Sequence, residues 1–113
     1  MRCYKETLRR LAVRDDRYID SLLRADQDEV SLAGMDARSH ALARIGALIA
    51  LDAGPPAFMA SVEAALHANV SEEEIVGTLI AVLPIVGVPR VVSAASNLGL
   101  ALGYDVANAL EVS

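Results

Sequence analysis

Two basic side chains lie four residues apart in the apolar segment ARSHALARIGALIAL, residues 37–51. A helix places His40 and Arg44 on the same face, one turn apart. A guanidinium holds a carboxylate through two parallel hydrogen bonds, and histidine is the side chain whose ordinary pKa lies closest to neutral pH. The pair is therefore a candidate for binding an organic acid at Arg44 and donating a proton from His40. The alternative is a polar helix edge, with Arg44 paired to Glu63 or Glu73.

Arg90 is the lone cation of a long apolar stretch and directly follows Pro89. An unpaired guanidinium is very unfavourable in an apolar interior, so Arg90 needs an acidic partner, a bound anion or a route for its head to water. We expect a structural salt bridge, either within the chain or across subunits. The second interpretation is a substrate-binding residue that acts together with Arg44.

The remaining reactive residue types form no recognisable site. His67 lies near the predicted end of a helix, where a protonated imidazole favours the negative end of the helix dipole, so we expect a surface role. Glu63 and His67 are one turn apart, but a zinc site needs a third protein ligand, and none is placed nearby. Cys3 is the only cysteine, which excludes an internal disulfide. We therefore predict no metal and no cofactor.

Composition limits the class of protein. The chain has 113 residues, which suits one domain, and 54% of them are hydrophobic, with a mean hydropathy of +0.38. The longest uncharged run, Ile75 to Pro89, is shorter than the roughly 20 residues that cross a bilayer and is interrupted by glycine and proline. The N-terminus is charged from its second residue, so we expect no signal peptide, no membrane insertion and a cytoplasmic location.

Net charge argues against a nucleic-acid partner. The chain carries a charge of −5, with an isoelectric point near 4.8. An acidic domain repels a phosphate backbone, and no basic stripe interleaved with aromatic residues is present. We expect neither DNA nor RNA to bind.

Apolar spacing and turn signals predict an all-α fold of about six helices. We assign residues 1–113 to a single domain with three parts. Residues 1–34 form an N-terminal helical arm and loop, residues 35–105 the core, and residues 106–113 a C-terminal turn. No segment shows sustained period-two alternation, and the proline within IVGVPRVV argues against a strand there.

Capping residues and prolines predict the helix boundaries. In the arm, Asp15 or Asp16 can cap a second helix, and Asp36 is a plausible N-cap for a helix through residue 51. Pro55 suits the opening of the next helix, because the missing N–H is unpaired at that position in any case.

The segment SEEE, residues 71–74, is a capping box. In this motif Ser71 and Glu74 each accept a hydrogen bond from the backbone N–H of the other. We expect the helix that follows to run to about Leu83, since Pro84 removes a backbone donor and should kink or end the helix. A last long helix should run from Pro89 to about residue 102 and stop at the glycine that follows.

Several predicted helices lack a polar side. Every residue from Ile45 to Leu51 is apolar or glycine, and residues 75–83 and 91–102 carry no charge. A helix that is apolar all round must be covered all round, and a small domain cannot place three such helices at its centre. We predict a homo-oligomer, in which neighbouring subunits supply the missing cover.

The segment from Met35 to Gly103 resembles the carboxymuconolactone decarboxylase family, an all-α group that also contains alkylhydroperoxidase-type proteins. The most similar parts are VEAALHANVSEEEIVGTL and VGVPRVVSAASNL. The resemblance implies an alkylhydroperoxidase-like fold and an oligomer, typically a trimer or hexamer. The apolar helices predict an oligomer independently.

The redox branch of that family carries Cys-x-x-Cys and a following histidine at the junction ALIALDAGPPAF. The corresponding residues here are Gly54, Ala57 and Ser61, and Asp52 is the only ionisable residue of the junction. Peroxidase chemistry of that type needs one thiol to attack and a second to resolve the product. The resemblance therefore implies a member without dithiol peroxidase activity.

The decarboxylase branch of the family needs no thiol. Acid–base groups protonate a carbon as carbon dioxide leaves a lactone acid, and the candidates for such groups here are His40 and Arg44. The first hypothesis is a protein that binds or acts on a small organic acid or lactone in an apolar pocket at a subunit interface. The alternative is a catalytically silent homo-oligomeric scaffold or partner subunit.

Overall fold

The computed structural model describes residues 3–25 and 33–106. Within these residues the chain forms helices and no strand, which confirms the predicted all-α fold. The six helices are α1 (Tyr4–Ala12), α2 (Asp16–Arg24), α3 (Ala37–Leu51), α4 (Pro55–His67), α5 (Glu72–Val86) and α6 (Val88–Ala101). They divide into two units, Met1–Asp36 with α1 and α2, and Ala37–Ser113 with the other four helices.

The first unit is a pair of short helices held by polar contacts. Asp15 caps α2 by accepting a hydrogen bond from the backbone N–H of Tyr18 at 3.2 Å. Glu6 pairs with Arg10 at 2.9 Å and with Arg9 at 3.2 Å, and the Arg10 guanidinium lies 5.3 Å from the centre of the Tyr18 ring. No side chain of α1 or α2 is fully buried. These two helices therefore form no hydrophobic core of their own.

The second unit is a bundle of four helices. Helix α3 packs against α4 and α5, and α6 packs against the same two helices, so the order around the bundle is α3, α4, α6, α5. Arg38 near the start of α3 contacts Glu74 near the start of α5. Arg90 near the start of α6 contacts Ala50 near the end of α3. Helices α3 and α5 therefore run in one direction, and α6 starts at the end of the bundle where α3 finishes.

The core of this bundle follows helical spacing on all four helices. Its apolar members recur at intervals of three and four residues, which places them on one stripe of each helix. The largest fully buried side chains are Phe58, Ile45, Ile49, Ile75, Leu98 and Val62. These side chains hold the helices together and fix where the polar residues of α3 and α6 lie.

The capping box that opens α5 is confirmed. The Ser71 hydroxyl accepts a hydrogen bond from the Glu74 N–H at 3.1 Å, and the Glu74 carboxylate accepts one from the Ser71 N–H at 3.0 Å. Just before the cap, Asn69 adopts a left-handed conformation with φ of 65°. That conformation is tolerated by asparagine and lets the chain reverse between α4 and α5.

The predicted end of α5 near Leu83 is wrong. The helix continues through Pro84 to Val86 and ends at Gly87, whose φ of +89° is open to glycine and strained for other residues. Pro84 lies in the last turn with its ring exposed, so the helix loses one hydrogen bond there without disturbing the core. Helix α6 begins at Val88, one residue earlier than predicted.

Two further boundary predictions have different outcomes. Gly103 follows α6 with φ of +84°, as expected of a residue that ends a helix. The predicted C-terminal turn, residues 106–113, lies outside the described residues except for Val106.

Helix length bears on the membrane prediction. Helices α3 and α5 contain 15 residues each. Among the described residues, no helix has both the length and the apolar character needed to cross a membrane.

Candidate functional site

His40 and Arg44 lie on one face of α3, as the sequence predicts. His40 is half-buried and Arg44 is exposed. Neither side chain has a hydrogen bond or ion pair with any residue of the ranges 3–25 and 33–106. In particular, Arg44 forms no salt bridge with Glu63 or Glu73 in the described chain. Two basic groups one turn apart therefore remain available for an anionic ligand.

Arg90 is held by a backbone carbonyl group. Its Nη1 donates to the carbonyl oxygen of Ala50 at 2.6 Å, in the last turn of α3. The last carbonyl groups of a helix have no partner within the helix and carry partial negative charge, so they attract a guanidinium. The remainder of the Arg90 head reaches water, because the residue is exposed. No carboxylate of the described chain pairs with it, and a salt bridge to a second subunit stays a prediction.

The three predicted site residues are spread along the length of α3. Ala50, which binds Arg90, comes ten positions after His40 and six after Arg44. At the helical rise per residue these separations are about 15 Å and about 9 Å along the axis of α3. The structure thus brings His40 and Arg44 together and places Arg90 near the far end of the same helix.

The junction between α3 and α4 is held by α6. Ser93 donates from its hydroxyl to Asp52 Oδ1 at 2.8 Å, and Asn97 Nδ2 donates to the carbonyl oxygen of Ala53 at 3.5 Å. Together with Arg90 these residues recur every three or four positions along one side of α6. We call Arg90, Ser93 and Asn97 the α6 clasp.

Asp52 at this junction has a structural role. It adopts a left-handed conformation with φ of 53°, which aspartate tolerates better than most residues, and its carboxylate accepts the Ser93 hydroxyl. Gly54 then serves as the extended residue before Pro55 opens α4. The junction is therefore a turn fastened to α6, and sequence reasoning missed Ser93 and Asn97 because both are ordinary helix-surface residues in the sequence.

A second polar contact lies at the opposite end of the bundle. Arg38 donates to the Glu74 carboxylate and to the backbone carbonyl of Asn69. The pKa of Glu74 is lowered, mainly by the backbone N–H of Ser71, with further contributions from the Ser71 hydroxyl and Arg38. Sequence analysis missed Arg38, because its partner lies 36 residues away and no local pattern joins them.

The other reactive residues stand apart from these contacts. His67 is exposed and is the last residue of α4, where the helix-end interpretation places it. Cys3 is exposed and precedes α1. No group of three or more His, Cys, Asp or Glu residues in the described part of the chain is arranged to hold a metal ion.

The fold and the site define an all-α protein whose second unit is a four-helix bundle, with two basic groups on α3 that have no partner in residues 3–25 and 33–106. Comparisons with known proteins found no match among family models, curated proteins or solved structures.

Proposed function

We propose that this protein is carboxymuconolactone decarboxylase-like and binds a small organic acid or lactone at His40 and Arg44. The pocket would be apolar and would form where subunits of a homo-oligomer, a trimer or hexamer, meet. The observation that carries the proposal is the pair of basic side chains on one face of α3, neither of which has a partner in the described chain. Structural arginines of this protein, such as Arg38, are bonded.

Each residue has a distinct role in this proposal. Arg44 holds a substrate carboxylate through a bidentate contact. A carboxylate held in this way is stabilised as an anion, so the group that leaves as carbon dioxide is a different one. The bond between the substrate carbon and this second carboxyl group breaks, and its electron pair stays on the substrate carbon. His40, acting as the acid, then delivers a proton to that carbon. Arg90 is bonded to Ala50 near the far end of α3, so we assign it to this ligand only where it comes from a second subunit.

Calorimetry with a panel of small mono- and dicarboxylates and lactones tests the proposal. We expect Arg44→Gln to weaken binding of the best acid by at least about ten-fold, the usual worth of a charge-assisted contact. His40→Gln should change affinity much less and should abolish any release of carbon dioxide. Arg17→Gln on α2 removes the same charge from an exposed helix and is the matched control.

The result that would contradict the proposal is equally specific. Failure of every acid and lactone to bind, or equal binding by wild type and Arg44→Gln, excludes a carboxylate site at this position. Binding without carbon dioxide release for any acid would reduce the proposal to ligand binding without chemistry.

A silent homo-oligomeric scaffold or partner subunit is the second candidate. It is favoured by the α3–α4 junction, where the polar groups of the α6 clasp are engaged in structural hydrogen bonds. It is also favoured by Gly54, Ala57 and Ser61, which carry no thiol or imidazole at the positions that are reactive in the redox branch. The scaffold predicts an assembly that binds none of the acids in the calorimetric panel.

A further inference from the structure

Helix α5 has two unlike faces. Ile75, Thr78 and Leu79 are buried against the other helices of the bundle. On an adjoining side of the helix Val76, Ile80 and Leu83 are 44%, 72% and 36% exposed. These three residues are spaced by four and three positions, which places them on one stripe of the helix, and we call that stripe the α5 face. An exposed apolar stripe on a helix already buried on another side indicates a surface that another molecule covers.

Small residues lie beside the α5 face. Gly77 would meet no atom within 4 Å if it carried a Cβ, so the space above it is open. Ala81 comes one turn later on the same side. Small residues at these positions allow a second helix to approach closely and leave a depression that a large side chain can fill.

The two ends of α5 differ in charge. Glu72 and Glu73 are exposed in its first turn. From Ile75 to Pro89 the chain carries no charge, and Arg90 then follows in the first turn of α6. Only one nitrogen of the Arg90 guanidinium is used in its bond to Ala50, and a guanidinium has five N–H donors. The surface is therefore acidic at one end, apolar in the middle and basic at the other end.

We infer that the α5 faces of two copies of this chain pair antiparallel about a two-fold axis at Ile80. Such a pair is self-complementary, because each residue i faces residue 160 − i of the other copy. Leu83 of one copy then lies over the depression at Gly77 of the second. Glu73 of one copy lies beside Gly87 of the second, where α5 ends and α6 with Arg90 begins, so the acidic start of each α5 lies near the start of α6 of the other copy.

Three physical reasons favour a second copy of this chain as the occupant. Opposite charges coincide only in the antiparallel arrangement, and an isologous contact needs no other molecule. The positive end of each helix dipole also lies next to the negative end of its neighbour. The α5 face exposes on the order of 300 Å² of apolar surface within a charged border, which suits the centre of a standard interface of about 800 Å² per partner.

This pairing deepens the proposed homo-oligomer by naming one of its surfaces. A hexamer contains two-fold axes and a trimer does not, so the pairing selects the hexamer from the two assemblies that the resemblance implies. The interface does not involve His40 or Arg44. Its test therefore measures assembly alone, and it can fail or succeed separately from carboxylate binding.

Sedimentation velocity of the full chain at micromolar concentration gives the first test. Ile80→Glu places two like charges at the axis, and we expect it to weaken the two-fold contact by at least about 100-fold. Ile85→Glu is the matched control, because Ile85 is on the same helix, is 84% exposed and lies about 140° around the helix from Ile80. Both side chains are exposed, so circular dichroism should show folded protein in each case.

The masses decide the outcome. The pairing is supported if wild type and Ile85→Glu form dimers or larger assemblies with an even number of subunits, and Ile80→Glu forms assemblies with half that number of subunits or fewer. A wild-type monomer or trimer overturns it. An Ile80→Glu variant with the wild-type mass overturns it as well.

A disulfide tests the position of the axis. Facing Cα atoms of two close helices are roughly 3.5–5.5 Å apart, within reach of a disulfide. In a Cys3→Ser background, Ile80→Cys should give a covalent dimer under mild oxidation, whereas Ile85→Cys should not. Equal yields from both variants, or none from Ile80→Cys, contradict an axis at Ile80.

Charge reversal tests the register. Glu73→Arg and Arg90→Glu, each alone, should weaken the contact by about ten-fold, because each brings like charges together. The double variant restores opposite charges and should recover most of the wild-type mass. A double variant that associates no better than the two single variants overturns the antiparallel arrangement.

Discussion

The two ends of the four-helix bundle use the same kind of residue in different ways. At the end where α5 begins, Arg38 binds a carboxylate, that of Glu74, and the carbonyl of Asn69. At the end where α3 finishes, Arg90 binds a carbonyl group, that of Ala50, and no carboxylate of the described residues. One contact thus depends on the ionisation of its partner and the other does not. The bundle therefore has an ion pair at the end where α5 begins and a hydrogen bond to a neutral carbonyl group at the end where α3 finishes.

The comparison also explains why His40 and Arg44 stand out. Arg38 and Arg90 each bind a segment distant in sequence, so both have a structural role that accounts for their presence. His40 and Arg44 lie between them on α3 with no bond to the described chain. The basic residues without a structural partner are therefore the better candidates for a ligand.

The largest expected effect concerns backbone packing at the end of the bundle where α5 begins. A Cβ on Gly99 would come within 2.8 Å of the carbonyl oxygen of Tyr104, which cannot move cheaply. We expect Gly99→Ala to lower the free energy of unfolding by about 2 kcal/mol, as overpacking does. In Gly46→Ala the new methyl group meets side chains at 3.7 Å or more, so stability should be equal or higher. Urea unfolding followed by circular dichroism measures both, and equal losses would contradict this account.

The left-handed residues at the two ends come next. Asn69→Ala should cost about 1 kcal/mol, because alanine is strained at φ of 65°. Asp52→Ala, at φ of 53°, has the same strain and in addition loses the bond from Ser93. Glycine at each position separates the two terms: Asn69→Gly should be near neutral, and Asp52→Gly should lose only the Ser93 contact. Thermal unfolding of the four variants checks this, and equal losses for the two glycine variants would mean that the Ser93 bond adds nothing.

Salt should change the stabilising contributions of Arg38 and Arg90 differently, and this difference should be smaller than the two effects above. Arg38→Gln removes an exposed ion pair, so its destabilisation should shrink at about 1 M salt, where the screening length falls to about 3 Å. Within the chain Arg90→Gln removes a bond to a neutral carbonyl, so in an Ile80→Glu background, where the contact between copies is broken, its effect should change little with salt. The measurement is the urea midpoint of each variant and of wild type at low and high salt. If the destabilisation by Arg38→Gln and that by Arg90→Gln change equally with salt, the distinction between the two contacts is wrong.

The smallest effect is the pH dependence of stability that arises at the end of the bundle where α5 begins. Because the pKa of Glu74 is lowered in the folded chain, its ionised form stabilises the fold above the ordinary value of 4.5. That contribution is lost as the pH falls below 4.5 and through the lowered pKa. Glu74→Gln keeps an acceptor for the capping box but removes the charge, so it should flatten the slope of stability against pH in this range. Glu63→Gln, which removes a charge that has no partner in the described chain, is the control.

Much of the fold could be predicted from local pattern. The capping box at residues 71–74, the proline that opens α4 and the buried spacing of Ile45 and Ile49 each depend on neighbours within a few positions. Pro84 misled the prediction because its effect depends on surroundings. In an exposed last turn it removes one bond, and the left-handed Gly87 ends the helix instead.

The candidate site was likewise predictable where it depends on local pattern and not where it depends on contacts between distant residues. Helical spacing alone sets His40 and Arg44 on one face of α3. The contacts of Arg38 and of the α6 clasp join residues at least 31 positions apart, so no local signal marks them. Their absence from the sequence prediction follows from the range of the interactions.

The sequence by itself determined the helices, most of their ends and the apolar excess of the chain, because these depend on periodicity and on caps within one or two turns. Only the tertiary structure decided which cations are bound within the described part of the chain, which have no partner there, and which side of α5 those residues leave exposed. Those properties follow from the order in which four helices pack, and that order is set by buried contacts between residues far apart along the chain.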